Sequence, residues 1–366
     1  MIGYHLLMLF ALPVYLYNHT PSGTLVAISM ALVFVTGVSV TSTYHRLYSH
    51  VTYRTNKWVE GVILLFSTMA TQGSALRWAY DHREHHAYVD TDRDPYSINK
   101  GFWYAHFLWL FDKPREIQNR VVSDLVKNKL VMFQHRFYGW LMAITNIAVT
   151  LYFGWLLDDY LGSFFFIWLV RTFTLHHLTW FINSLAHYWG TQRFSREHSA
   201  CDNYALCLLT FGEGYHNYHH TFANDYRNGI RWYHFDPTKW LIWTLWKCGL
   251  AHNLRTANEF KVQELIVKDS RNELFDAIKK SFHDQKEILE SKAQNMTDSL
   301  LEQLAELNRR TQYYYNQKKE KAADLELLNR LYSELKSLQK STKEEWKQFR
   351  SFYKSLVKEK YPARMQ

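Results

Sequence analysis

Residues 24–50, TLVAISMALVFVTGVSVTSTYHRLYSH, join a long uncharged apolar run to a histidine-bearing end. As a helix, residues 24–44 reach about 30 Å at 1.5 Å per residue, the thickness of a bilayer's hydrocarbon core. A span that stops at His45 places imidazoles at the membrane boundary. Working outward, residues 2–18 form a shorter apolar segment interrupted by Pro13, and residues 137–157 and 160–182 supply two further runs. These four spans pair into two hairpins. The first lacks a basic leader and is followed closely by the second, so it reads as a retained, tilted helix rather than a cleaved signal. The apolar stretch 59–70 is too short to cross comfortably and reads as an interfacial or buried helix.

The loops set the orientation. Residues 18–23 and 158–159 carry no Lys or Arg, whereas the connection from His45 to Phe137 carries thirteen. By the positive-inside tendency that connection, and everything after His187, lies in the cytoplasm. The fold class expected is all-α and membrane-integral, with four transmembrane helices under a cytosolic helical cap.

Composition agrees once the chain is divided. Of its 366 residues 47% are hydrophobic and 17% aromatic, too many for a disordered polymer, and 40 of the 77 Asp, Glu, Lys and Arg side chains fall in residues 256–366. Residues 1–258 therefore form the membrane domain, and residues 259–366 a charged extension. Three cysteines without C-x-x-C spacing exclude a disulfide framework and thiolate zinc fingers.

Histidine is the informative residue. His45 and His50 stand in HRLYSH, His82, His85 and His86 in HREHH, His187 in NSLAH, and His216, His219 and His220 in HNYHH. In HREHH and HNYHH the spacing i, i+3, i+4 puts three imidazoles on one helical face. His45 and His50 differ. Five residues turn an α-helix by about 500°, so the pair is expected to straddle the end of the span rather than share a face. Nine imidazoles exceed the capacity of one ion, so two ions sharing the set is the economical reading. Asn183, four residues before His187, could hold a metal-bound water or simply pack against a neighbouring helix. The other ten histidines, among them His106, His135, His176, His177 and His234, lack such spacing and are read as supporting or surface groups.

Nitrogen-rich, carboxylate-poor ligation at a membrane boundary suits dioxygen activation against an unactivated C–H bond, with the metal performing the difficult step. Two-metal hydrolysis would call for bridging carboxylates. Asp81 and Glu84 are available, but no repeated carboxylate accompanies the other clusters. A membrane hydroxylase uses a similar site. A metal transporter would instead place its ligands along a pathway within the membrane.

HRLYSH, WAYDHREHHAYVDTDRDPYS, NSLAHYWG and GEGYHNYHHTFANDYRNGIRW resemble, in order and interval, the histidine boxes of the membrane-bound fatty acyl desaturases of the stearoyl-CoA delta-9 type. The resemblance covers residues 36–258. It implies a di-iron centre held by His45, His50, His82, His85, His86, His187, His216, His219 and His220, with Asn183 reaching one metal through water. Zinc could replace iron in a purified sample. It also implies removal of two hydrogens near carbon 9 of a saturated acyl chain, using O2 and two electrons. By the same resemblance Trp78, Thr179 and Trp180 line the acyl tunnel, and Arg77, Asp81 and Arg83 meet the phosphates of coenzyme A or another acyl carrier. No HPGG-type haem motif occurs, so electrons are expected from a separate cytochrome b5-like, ferredoxin or rubredoxin partner. The short first segment and the wording HTFANDYRNGIRW look bacterial, which points to a bacterial inner membrane rather than the endoplasmic reticulum.

The extension contains no Gly or Pro between residues 250 and 361 and is rich in helix formers. Leucines at 300, 304, 307, 325, 328, 331, 335 and 338 recur in steps of three and four, the pattern of a helical hairpin or coiled coil bending near residues 313–321. Self-association, docking to a carrier or redox partner, and a merely solvated helix are equally open readings of it. Its 22 basic and 18 acidic residues suggest no focused basic patch and no nucleic-acid partner.

Overall fold

The computed structural model describes residues 2–281, 285–320 and 324–357. The chain divides into two compact units, Met1–Thr256 and Ala257–Gln366.

The first unit is built on helices. They are α1 (Ile2–Asn18), α2 (Gly23–Ser49), α3 (Lys57–Met69), α4 (Ala75–Tyr88), α5 (Phe102–His106), α6 (Lys129–Leu157) and α7 (residues 160–183). After these come α8 (Tyr204–Leu209), α9 (His216–Thr221) and α10 (Pro237–Lys247). Polar caps fix the starts: Ser22 accepts from Leu25 N, Asn56 from Val59 N and Ser74 from Arg77 N. A two-residue antiparallel ribbon, β1 (Arg54–Thr55) with β2 (Ala251–His252), ties the end of the unit back beside α2.

Two helices, α2 and α6, are long and apolar enough to cross a membrane by length and composition, and α1 is a shorter apolar helix. The third apolar run starts earlier than its hydropathy suggests. α6 begins at Lys129, and the expected start, Phe137, has non-helical angles (φ −108°, ψ 16°) that kink the helix. Asp158 in the left-handed region turns the chain, and Asp159 Oδ1 caps α7 through Gly162 N at 2.7 Å. A Cβ at Gly162 would lie 2.0 Å from the Asp159 carboxylate and displace it from this cap. In α7 the apolar run includes a buried Arg171, which donates to Ile167 O, to Met69 O at the end of α3, and to Asn146 of α6. No carboxylate accompanies it in these bonds; three separate carbonyl-type acceptors satisfy the guanidinium.

α3, the short apolar stretch, packs against α2 and α6 and buries Ile63, Leu64 and Met69. The core between α2, α4 and α6 contains Tyr44, Leu76, Ala79 and Val131.

The described residues of the second unit form three helices, α11 (Glu259–Ser281), α12 (Lys286–Lys319) and α13 (Leu325–Val357), each packed on the other two. Among the described residues there are three helices where a helical hairpin or coiled coil was expected, and no Gly or Pro announces the start of α12 after Gln285. α12 runs unbroken through Tyr313 and ends at Lys319, followed by an extended Glu320. Of the stretch expected to bend, Lys321 lies outside the described residues. Val267, Leu274, Leu300, Leu304, Phe349 and Tyr353 form the core, whereas Leu325 is exposed.

Candidate metal centre

Two histidine groups lie side by side. His45, His50, His82, His86 and His219 form one, and His85, His187, His216 and His220 the other; within each, one ligand nitrogen per residue lies within 4.8 Å of all the rest. The helices dictate this. α4 sends His82 and His86 to the first group and His85, a quarter turn away, to the second, while α9 divides His219 from His216 and His220 in the same manner. His187 arrives on a single 3-10 turn after α7.

His45 and His50 straddle the helix end at Ser49 as expected, but they share a face, which the α-helical period did not predict. Residues 41–49 are wound as a π-helix, in which His50 N donates to His45 O at 3.1 Å, five residues back. That winding stacks i over i+5, and the two rings lie 4.9 Å apart in one group. An α-helical period applied to this segment gives the wrong face.

The nitrogen spacing fits metal ions. Nε2 atoms of His45 and His219, and of His50 and His82, are 2.9 Å apart; His86 and His219 are at 3.1 Å. In the second group His187 and His216 are at 3.0 Å, His216 and His220 at 3.1 Å, and His85 and His220 at 3.3 Å. Nitrogens bonded at about 2.1 Å and separated by a right angle lie about 3.0 Å apart, so these distances match the edges of a coordination polyhedron. Among the described residues both groups contain histidine alone.

Carboxylates stand behind the imidazoles instead. His45 Nδ1 lies 2.9 Å from Glu213 Oε2, and His85 Nδ1 is 2.9 Å from Asp94 Oδ1. His187 Nδ1 is 2.7 Å from Ser199 Oγ, whose hydroxyl donates to Asp90. Such partners hold the proton on Nδ1 and turn the Nε2 lone pair inward. Burial, and then the charges of neighbouring histidines, push His50, His82, His86, His219 and His220 well below the usual imidazole range. His187 and His216 shift the same way for the same first cause. Neutral imidazoles are the ligating form.

Glu213 is held in turn. Arg46 donates to Glu213 at 3.0 Å and to both oxygens of Asp236 at 2.9 and 3.2 Å, and Asn228 donates to Glu213 at 2.7 Å. Burial alone would raise the Glu213 carboxyl, but His45 and Arg46 outweigh it and hold it at about 2. None of Glu213, Asp94, Asp90 or Asp236 was legible as a site residue. Each sits near a box without a spacing that marks it.

Two cavities share Trp78, Thr179 and Asn183. The inner one, a narrow space, is walled by Gly37, Val40, Phe211 and Ile182 and touches His45, His82 and His216. Trp78 stacks on His82 with ring centroids 4.8 Å apart. The outer one, about 1390 Å³ and open to solvent, runs past Gln72, His176 and Trp180 to a rim carrying Arg77, Asp81, Lys113 and Arg115. Arg77 pairs with Asp81 at 3.5 Å, and burial, opposed by Arg77, pushes the Asp81 carboxyl up to about 6.

Arg83 is placed elsewhere. Its guanidinium clamps the Asp124 carboxylate at 2.7 and 2.8 Å and donates to Tyr48 O, Ser49 O and Val121 O, so it braces α4 and does not reach the cavity rim. His106, His176 and His177 form a separate network with α1. Tyr4 Oη lies 3.0 Å from His176 Nδ1, His5 lies 3.3 Å from His177, and His106 lies 3.0 Å from His177. His198, by contrast, has its ring 5.1 Å from that of His220.

A helical unit enclosing two all-histidine groups beside an apolar cavity defines a histidine-ligated metalloprotein. The chain matches the fatty acid desaturase family over residues 22–253 and belongs to that family. It is 41% identical over 277 residues to a probable acyl-CoA desaturase of Schizosaccharomyces pombe, covering 74% of this chain and 58% of that protein. It is 39% identical over 243 residues to acyl-CoA desaturase 1 of Saccharomyces cerevisiae, covering 66% of this chain and 48% of that protein. An sn-2 palmitoyl-lipid 9-desaturase of a Nostoc species is 37% identical over 216 residues, 57% of this chain and 73% of that one. The chain thus spans about half the length of the fungal relatives it matches.

Proposed function

We propose that this protein is an O2-dependent acyl desaturase that introduces a cis double bond, at carbon 9, into a saturated acyl chain carried by coenzyme A. The observation that carries this reading is the pair of all-histidine groups opening onto an apolar cavity. Two irons are the metals proposed, held by the nine histidines, with Asn183 holding a water beside the four-histidine group. When bound they would supply the activation of dioxygen needed to remove two hydrogens from unactivated carbons.

The chain's own residues do the rest. Trp78, Thr179 and Ile182 confine the acyl chain against the Nε2 faces, and the apolar inner wall excludes water. Trp180 belongs to the wall of the outer cavity. Arg77, Lys113 and Arg115 at the rim suit the phosphates of an acyl-CoA, with Asp81 orienting Arg77. Two electrons from a separate cytochrome b5-like, ferredoxin or rubredoxin donor, and two protons, balance the reduction of O2 to water.

The proposed setting is a membrane spanned by α1, α2, α6 and α7, with the metal site on the cytoplasmic side of a bacterial inner membrane or of the endoplasmic reticulum. Exposed Leu151, Ile144 and Trp155 on α6, and Trp240, Trp243 and Trp246 on α10, support lipid contact. Residues 1–258 would then be the catalytic domain and residues 259–366 an accessory one.

The test is mass spectrometry of total fatty acids from a host expressing the protein, with double bonds located by derivatisation. New 16:1 or 18:1 chains unsaturated at carbon 9, absent with His85→Ala, are expected. Hydroxylated chains would move the assignment to a hydroxylase.

A further inference from the structure

The sum of 22 basic and 18 acidic residues conceals an ordered arrangement in the second unit. On α13, Lys336, Lys340, Lys343, Lys347, Arg350 and Lys354 follow one another in steps of four, three, four, three and four. That alternation returns each side chain to the same face, so the six cations form one row about 27 Å long at 1.5 Å per residue. All six are exposed. Among the described residues none of the six has a carboxylate ion-pair partner.

The acidic residues of the same helix are turned away or lie at the margin. Glu334 takes Arg310 of α12 at 2.8 Å, and Glu345 takes Ser299 and Gln303 of α12. Only Glu344 borders the row. The adjoining side of α13, about 100° round the helix, is occupied by the unit's core through Leu335, Thr342, Phe349 and Tyr353. The row is therefore an electrostatic face, with the exposed Leu325 and Tyr332 at its N-terminal end. Lys336 lies over Tyr332 at 4.8 Å and Arg350 over Trp346 at 5.2 Å, which keeps these heads above a rigid aromatic base.

We propose that this row rests on the anionic surface of the bilayer in which the first unit is embedded, and so holds the extension against the membrane. The occupant is argued from charge, shape and tether. A straight row of six cations matches a flat anionic sheet better than a compact partner, and the chain continues directly from a unit with two apolar helices of spanning length. Anionic headgroups on a cytoplasmic leaflet attract basic segments within a Debye length. The proposal rests on the membrane reading given above.

The experiment uses the full chain in nanodiscs, with exposed Cys248 replaced by Ser and a bimane fluorophore on one of two new cysteines. Gln339→Cys reports on the row, and Ile144→Cys on the exposed face of α6. Headgroup-nitroxide lipids should quench Gln339→Cys at least about twofold more when phosphatidylglycerol is mixed into phosphatidylcholine. The gain should vanish in molar salt and in Lys340→Glu/Lys347→Glu, whose helicity is checked by circular dichroism. Chain-nitroxide lipids should quench Ile144→Cys in both lipid mixtures. Equal signals at Gln339→Cys in the two mixtures, with Ile144→Cys quenched, overturn the proposal alone. An unquenched Ile144→Cys overturns the spanning reading and this proposal with it. A bimane response to an added acidic acyl carrier protein, and none to phosphatidylglycerol, also overturns it and gives the row to a protein partner.

Discussion

Glu213 Oε2 stands 2.9 Å from His45 Nδ1, on the side of the ring opposite the histidine group. A carboxylate in that position fixes the tautomer and orientation of the ligand and raises its basicity, and losing such a partner typically costs 10–100-fold in metal affinity or activity, to order of magnitude. Glu213→Gln is therefore expected to lower turnover about 10–100-fold and to deplete metal from the five-histidine group first. Metal analysis beside single-turnover assays checks this. Full metal content with unchanged turnover would show that Glu213 only neutralises Arg46.

His219 lies close to both His45 and His86, at 2.9 and 3.1 Å, so its loss opens one group while leaving the other's nitrogens in place. His219→Ala should abolish desaturation and retain about half the metal, whereas His85→Ala should leave the five-nitrogen group intact. Both variants should still insert, because neither residue lies in an apolar span. Near-normal turnover at matched expression would sink the assignment of ligands.

Legibility in the sequence followed period. The i, i+3, i+4 triads of α4 and α9 were readable because those segments are α-helical, and so were the apolar runs of α2 and α6. The shared face of His45 and His50 was not readable because nothing local marks residues 41–49 as π-wound, a winding in which Tyr44 and Tyr48 are both buried. The carboxylates behind the ligands were invisible for a different reason. Asp94 reaches His85 only after the chain turns through residues 89–94, and Glu213 reaches His45 across 168 positions. Arg83 was assigned to the headgroup by proximity to its box, but an α-helix sends it to the face opposite the cavity, where Asp124 waits. The row of cations on α13 is hidden in the near-balance of 22 basic and 18 acidic residues, a sum that carries no helical phase.

Thr179 lines both cavities, at the neck between them on the proposed acyl path, and its hydroxyl accepts from Gln72 at 2.9 Å. Filling this neck should separate the outer rim from the histidines without touching them. Thr179→Phe is expected to reduce C18 desaturation at least about tenfold while metal content stays at the wild-type level, since overpacking a formed cavity costs the occupant rather than the ligands. Loss of metal in this variant would indicate that the neck braces the site instead.

Asp202 is buried, and burial pushes its carboxyl up to about 7, opposed by the Tyr218 amide that donates to it at 3.1 Å. A carboxyl that holds its proton more tightly folded than unfolded favours the folded state at low pH, and that contribution fades from the ordinary value of 3.8 up to about 7. Asp202→Asn keeps an acceptor for Tyr218 but cannot ionise. Its stability relative to the native protein should rise by on the order of 2 kcal/mol between about pH 5 and about pH 7, then level off. Thermal melts across that range check it, and a flat difference would mean that Asp202 is ionised in the folded protein throughout.

Removing residues 257–366 at the boundary between the two units should spare the chemistry, because every histidine of both groups and every residue lining the two cavities precedes Thr256. The truncated chain is expected to keep its metal and to desaturate within about threefold of the full protein at matched expression. The row on α13 would then govern how the extension meets the membrane surface and not whether the acyl chain reacts. Complete loss of activity in a folded, metal-loaded truncation would overturn this, and would mean that the extension contributes to substrate or electron delivery.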